Sequence, residues 1–177
     1  SWTELKNNGE EDLGVEYVSS FALLGIDKEG LLSTDEKLEV LIARNAWQKE
    51  LIWNRFSMDQ LGMSISQPDK VRRSSQTISV GNTGNWSTKN YLPMGCLKNK
   101  ETDSILFWQI EQNGSWYWEI SDQDGHMYLQ LSGPTEHQSH WWKNLKPGDT
   151  FASVPVSVGS ACGDVEEAAG ELTKYRR

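Results

Sequence analysis

Carboxylates, histidines and a glycine-flanked serine are the side chains here that could make or break a bond. Glu111 and Glu119 stand on either side of a short polar turn. Two carboxyls cleave a glycosidic bond with retention when they sit about 5–5.5 Å apart. A hairpin through Asn113-Gly114 instead predicts Glu111 and Glu119 on opposite faces. Asp122 and Asp124 fall in a turn and are expected in solvent. His137 and His140 form an H-x-x-H, but zinc takes three or four ligands and neither Cys96 nor Cys162 is near in sequence. A polar loop is the expectation there. Gly159-Ser160-Ala161-Cys162-Gly163 lacks the Gly-x-Ser-x-Gly spacing of a nucleophile elbow. Gly81-Asn82-Thr83-Gly84-Asn85 lacks the Lys-Ser/Thr of a phosphate loop. The residues by themselves therefore predict no catalytic group, no metal site and no cofactor.

The unusual residue type is tryptophan, at 2, 47, 53, 86, 108, 116, 118, 141 and 142. A bulky ring with one N–H donor suits a half-buried surface. Nine of them either fill a β-sheet core or offer flat faces to sugars, and the count alone favours the core. Cys96 and Cys162 are most simply two buried thiols. Asn85-Trp86-Ser87 and Asn113-Gly114-Ser115 match the N-glycosylation pattern, a match too short to carry weight.

Charge and length exclude several classes. Lys and Arg number 17 against 25 Asp and Glu, a net charge of −8. An acidic chain without a basic block repels phosphate backbones, so neither nucleic acid nor an anionic membrane is an expected partner. No apolar run approaches the roughly 18 residues of a membrane span. The first residues lack the basic and apolar regions of a signal peptide, so a cytoplasmic location is expected. At 177 residues the chain is also shorter than the roughly 200–250 that a (β/α)₈ barrel needs.

The elements that must position any site read as strands. Residues 15–24, 37–43, 48–56 and 76–80 are rich in branched and aromatic side chains. Ser57 to Gly62 has a capping-box spacing and predicts one helical turn. Residues 67–75 read as a loop, and 81–90 as a turn-rich stretch. Asn113-Gly114 is a strong hairpin signal, since a type I′ turn needs positive φ twice. It predicts Gln109 opposite Trp118 and Phe107 opposite Ile120. Asp124-Gly125 repeats the signal and predicts Ile120 opposite Leu129 and Trp118 opposite Leu131. On that register Ile105, Phe107, Trp116, Trp118, Ile120, Met127, Leu129 and Leu131 share one face of a three-stranded meander. The other face carries Leu106, Trp108, Ile110, Tyr117, Glu119, Ser121, Tyr128 and Gln130. It is too aromatic to be simply wet, so another layer or a ligand is expected against it. Residues 132–149 read as a polar connection and 150–160 as a last strand. Asp164 with Glu167 predicts a capped helix near 164–176.

Several strings are more specific than these patterns. They are Glu16-Tyr17-Val18-Ser19-Ser20-Phe21, Trp53-Asn54-Arg55-Phe56-Ser57, Asn85-Trp86-Ser87-Thr88-Lys89-Asn90-Tyr91-Leu92-Pro93-Met94-Gly95 and the run from Phe107 to Ile120. Leu131-Ser132-Gly133-Pro134-Thr135-Glu136, Trp141-Trp142-Lys143, Lys146-Pro147-Gly148-Asp149-Thr150-Phe151 and Lys174-Tyr175-Arg176-Arg177 follow in order. Over about 13–177 the chain resembles the N-terminal β-supersandwich domain of α-galactosidases (melibiases) of glycoside hydrolase family 36.

The resemblance implies an all-β fold, an antiparallel sandwich of the galactose-mutarotase-like type, partial, with one C-terminal helix. Residues 1–12, polar and acidic, read as a flexible stretch, and the resemblance implies a sandwich over 13–163 and a helix over 164–177 leading to a (β/α)₈ barrel of the same polypeptide. Both catalytic aspartates of the family lie on that barrel, so the chain is expected to be non-catalytic. Its expected partners are the barrel, an α-galactoside through the full enzyme, and further copies in a homo-oligomer. Trp86 with Tyr91, and Trp141 with Trp142, are the candidate sugar-contact or barrel-docking residues, because they sit where no strand face needs an aromatic. An exposed patch is expected at Trp141, Trp142 or the outer face of the helix. The alternative is a free-standing carbohydrate-binding module.

Overall fold

The computed structural model describes residues 1–63, 76–123 and 125–177. The loop expected over 67–75, and Asp124 of the second turn, lie outside the described residues. In chain order the elements are β1 (Glu4–Lys6), β2 (Leu13–Val15), β3 (Ser19–Leu24), α1 (Thr34–Lys37), β4 (Leu38–Ala46), β5 (Lys49–Ser57), β6 (Thr77–Asn82), β7 (Tyr91–Asn99), β8 (Ser104–Ile110), β9 (Trp116–Gln123), β10 (His126–Ser132), α2 (Glu136–Ser139), β11 (Lys143–Leu145), β12 (Thr150–Ala152), β13 (Val156–Cys162) and α3 (Val165–Tyr175). A 3₁₀ turn at Asp59–Leu61 fills the place expected for a helical turn. Ser57 and Gln60 cap it by exchanging backbone N–H bonds with each other's side chains.

The expected all-β sandwich is present, with its C-terminal helix. A four-stranded sheet in the order β3-β10-β9-β6 faces a five-stranded sheet in the order β13-β8-β7-β4-β5, and two ribbons, β1-β12 and β11-β2, stand beside them. Between the sheets lies one apolar core. The four-stranded sheet supplies Val80, Trp116, Trp118, Ile120, Met127, Leu129 and Leu131, and the five-stranded sheet Val40, Leu97, Trp108, Ile110 and Val156. The edge of one indole meets the face of another where Trp108 and Trp118 pack 5.1 Å apart at 76°, a geometry worth about 0.5–1.5 kcal/mol beyond burial. Gly95, opposite Trp108 on β7, is what admits that ring: an added Cβ would sit 2.5 Å from its Cζ2.

The second turn has the expected register, with Ile120 opposite Leu129 and Trp118 opposite Leu131. The first does not. β8 and β9 belong to different sheets, so Gln109 faces Met94 and Ser157, and Phe107 faces Cys96 and Gly159. Neither Asn113 nor Gly114 has a positive φ, so no type I′ turn forms and the chain crosses from one sheet to the other. The crossing segment spends its polar groups elsewhere. Glu111 N–H donates to the Pro155 carbonyl at 2.9 Å, and Ser115 Oγ accepts the Gly84 N–H at 2.9 Å. β8 is apolar on both faces because it is an interior strand covered on both sides. Trp108 and Ile110 point to the central core, whereas Ile105 and Phe107 point outward under α3.

Three further expectations change. Residues 1–12 were expected as a flexible lead, yet Glu4–Lys6 pairs with Thr150–Ala152, and the buried Asn7 side chain donates to the Glu11 and Leu145 carbonyls. The polar connection 132–149 contains α2 and β11. Cys96 is buried as expected, but Cys162 is exposed at the end of β13.

Helix α3 begins as its sequence predicts. Asp164 accepts the Val165 N–H and Glu167 accepts the Asp164 N–H, a reciprocal cap. Val165, Ala168 and Leu172 then pack on Leu41, Cys96, Ile105 and Phe107. Polar clamps fix its start: Arg55 bridges Glu39 and Asp164, and the buried Lys98 ammonium donates to Asp103 and to the Gly163 carbonyl.

Candidate functional site

The predicted aromatic contacts part company in the structure. Trp86, in the β6–β7 loop, is 61% exposed. Tyr91 is not in a loop but opens β7, half-buried, with the Arg44 guanidinium 5.3 Å over its ring and bonded to its hydroxyl at 3.3 Å. That phenol is occupied as a strand-end partner. Trp141 is half-buried with its ring 5.5 Å from Phe151. Together with Trp2, Pro134 and Val154 this pair walls an open cleft of about 590 Å³. Adjacent Trp142 is 63% exposed and does not line this cleft. At the end of α3, Tyr175 is largely exposed beside a second cleft lined by Leu92, Pro93, Met94 and Gln109. Exposed rings also occur away from both places. Trp47, at the tip of the β4–β5 hairpin, is 88% exposed and was not singled out by the sequence, where Ala46-Trp47-Gln48 shows no alternation to interpret.

A polar constellation lies on the outer face of the four-stranded sheet. Strand alternation sends Trp116, Trp118 and Ile120 inward, so Tyr117, Glu119 and Ser121 must point outward. Opposite them on β10 stand Ser132, Gln130 and Tyr128. Glu119 is the centre: its carboxylate accepts from the Tyr117 hydroxyl at 2.6 Å and from the Tyr128 hydroxyl at 2.8 Å, one bond on each oxygen. Gly81 on β6 lets the Tyr117 ring lie close, since a Cβ there would be 3.4 Å from its Cδ2 and 2.8 Å from the Trp116 carbonyl. Burial and the bond to Glu119 push the Tyr117 phenol up to about 12. Tyr128 is raised by the same two causes. Tyr17 reaches over from the β2–β3 connection. The residue is 43% exposed, but burial of the hydroxyl end and the nearby Glu119 charge raise its phenol well above the ordinary range, against a bond from Ser132 that lowers it. All three phenols stay protonated at neutral pH, and those of Tyr117 and Tyr128 donate to Glu119. The sequence had placed Tyr117, Glu119, Ser121, Tyr128 and Gln130 together on a face needing a neighbour, and they are together. Leu106, Trp108 and Ile110, assigned to the same face, are on the other sheet.

Glu111 and Glu119 do not form a pair. Glu111 is bonded by the Ser157 hydroxyl beside the five-stranded sheet, and Glu119 is held by phenols on the other. His137 and His140 fall on and just after α2, where His140 takes a left-handed φ of 52° and lies 3.9 Å from Glu136. Among the described residues no three His, Cys, Asp or Glu side chains converge as a metal site, and no helix is long and apolar enough to cross a membrane.

No family model matches the chain, and no curated protein matches it in sequence. Solved structures do match in fold. The chain is similar to the galactosidase domain of the α-galactosidase–sucrose kinase AgaSK, with a TM-score of 0.67 and 19% identity over 90% of this chain and 19% of that one. It is similar to the GH36 α-galactosidase AgaA from Geobacillus stearothermophilus, with a TM-score of 0.69 and 14% identity over 93% and 20%. The α-galactosidase from Lactobacillus brevis gives a TM-score of 0.72 and 14% identity over 97% and 20%. The chain thus has the fold of one sandwich segment within α-galactosidases, and it spans about one fifth of the length of the structures it matches.

Proposed function

We propose that this chain is the non-catalytic N-terminal domain of a retaining α-galactosidase of glycoside hydrolase family 36, acting on terminal α-galactosyl residues. The observation that carries this reading is the asymmetry of coverage: at least 90% of this chain falls on about one fifth of each α-galactosidase. The remaining four fifths have room for a (β/α)₈ barrel, which this chain does not. Its work is then to support the barrel of the same polypeptide and the assembly of full-length copies in the cytoplasm. Candidate docking surfaces are the exposed Trp86 and Trp142, the Trp141 cleft and the Tyr175 end of α3.

The 177-residue chain assayed on a nitrophenyl α-galactoside is expected to show no hydrolysis above blank. Hydrolysis that disappears in Glu111→Gln or Glu119→Gln would overturn the reading. The natural reading frame beyond Arg177 separates the two classes of function. A barrel-length continuation supports the domain reading, and a stop codon there favours a free-standing carbohydrate-binding module using the Trp2–Trp141–Phe151 cleft.

A further inference from the structure

We infer that the outer face of the four-stranded sheet carries a binding site for a single pyranose ring, centred on Glu119. The inference stands apart from the Trp141 cleft, and only its choice of a galactoside as probe rests on the α-galactosidase reading. A pocket of about 310 Å³ opens over this face, lined by Tyr17, Tyr117, Glu119, Gln130, His137 and Gln138 among others. That is the lower end of the roughly 300–1,000 Å³ of small-molecule sites, the scale of one sugar ring.

Its chemistry selects the ligand. Glu16 and Glu136 at the rim and Glu119 at the floor make the pocket acidic, which repels phosphates and carboxylates. The two phenols occupy one lone pair on each Glu119 oxygen. Each carboxylate oxygen nevertheless keeps a further lone pair to accept with. Gln138 adds a buried side-chain oxygen that has no hydrogen-bond partner in the protein. An acceptor-rich pocket with protonated phenols and flat tyrosine rings in its wall fits a neutral ligand that brings several O–H donors on one apolar-faced ring. The Tyr117–Glu119–Tyr128 bonds fix the carboxylate in advance, so little ordering remains to be done on binding.

Two-dimensional amide NMR of the 177-residue chain, titrated with methyl α-galactopyranoside, tests this. Saturable shifts are expected in 117–121, 128–132 and 135–138, with a Kd on the order of 1–10 mM. Glu119→Gln, which keeps the shape and removes the charge, is expected to weaken binding about tenfold or more. Tyr17→Ala removes a half-exposed ring outside both sheets and is expected to do the same with amide shifts of its own confined to the neighbours of residues 17 and 132, so the test survives if Glu119→Gln fails to fold. No shifts up to about 100 mM sugar, two decades above the tight end of that range, would overturn the site. So would shifts confined to the Trp2–Trp141–Phe151 cleft, or an unchanged Kd in Tyr17→Ala. N-acetylargininamide moving these amides where the sugar does not would assign the pocket to a cationic side chain and likewise refute the inference.

Discussion

The two sheets turn unlike faces outward, and the difference separates what this domain uses for stability from what it leaves for recognition. Outside the five-stranded sheet, Leu41, Cys96, Ile105 and Phe107 form an apolar layer that the chain covers with its own helix α3. Outside the four-stranded sheet, Tyr117, Glu119 and Tyr128 form a hydroxyl-rich layer joined by charge-assisted bonds, and among the described residues Tyr17 and the one-turn α2 border it. An apolar face left in water costs about 25 cal/mol for each Å². A polar face can remain open without that cost. The covered face is therefore part of the fold, and the polar one can stay in contact with water or a ligand.

Substitution under α3 is the strongest way to break this contrast. Ile105, fully buried there, is expected to lose about 2–5 kcal/mol as Ile105→Ala in a urea melt. Tyr128→Phe on the opposite face removes one partly exposed bond and is expected to cost no more than about 1.5 kcal/mol. Equal losses would show that the outer polar face is as structural as the covered one. Gly95→Ala pushes a methyl into Trp108 between the sheets and is expected to cost about 1–3 kcal/mol. An unchanged midpoint would mean that the Trp108–Trp118 stack has slack.

Thiol labelling sharpens the contrast without altering the fold. Burial pushes the Cys96 thiol up to about 12, so it should label only when α3 lifts, while exposed Cys162 labels at once. Rapid modification of both thiols in the folded protein would show that α3 does not hold the covered face shut.

Smaller effects come from the titrating groups. Partial burial raises the Asp164 carboxyl, but the Arg55 guanidinium and the Val165 N–H outweigh it and hold the group below its ordinary value. A depressed carboxyl stabilises the fold above its unfolded pKa of about 4 and loses that contribution as pH falls through the folded value. Both side chains are more than a third exposed, so solvent screening limits the effect to about 1 kcal/mol or less. Asp164→Asn is expected to flatten that part of the stability profile in acid, and an unaltered slope would remove Arg55 from the account of how α3 is anchored. On the other face, Tyr117 is expected to ionise near pH 12 in an ultraviolet titration and earlier in Glu119→Gln. Its raised value adds stability that is whole below about pH 10 and declines as pH rises towards 12.

Local chemistry made several elements legible. Asp164 and Glu167 set the start of α3, because a cap depends on residues three apart. The β9–β10 register could be read from a short turn and two alternating strands, because a one-residue slip would expose every ring. The outward set Tyr117, Glu119, Tyr128 and Gln130 followed from the same alternation. β7 was passed over, since Pro93, Gly95 and the Lys98-Asn99 pair interrupt any strand pattern. The fold tolerates each: pairing with β4 is irregular between Ile42 and Arg44, Gly95 makes room for Trp108, and Lys98 is buried against Asp103 and Gly163.

By itself the sequence determined that the chain is β-rich and acidic, that a helix follows the last strand, and which residues of β9 and β10 face in and out. Those features rest on interactions between near neighbours. Only the tertiary structure decided that β8 leaves β9 for a place between β7 and β13, and that Trp108 meets Trp118 across the core rather than beside it. The Asn113-Gly114 dipeptide allows a tight turn but does not compel one. Two long-range strand partners and burial on both faces of β8 outweigh the preference of two turn residues.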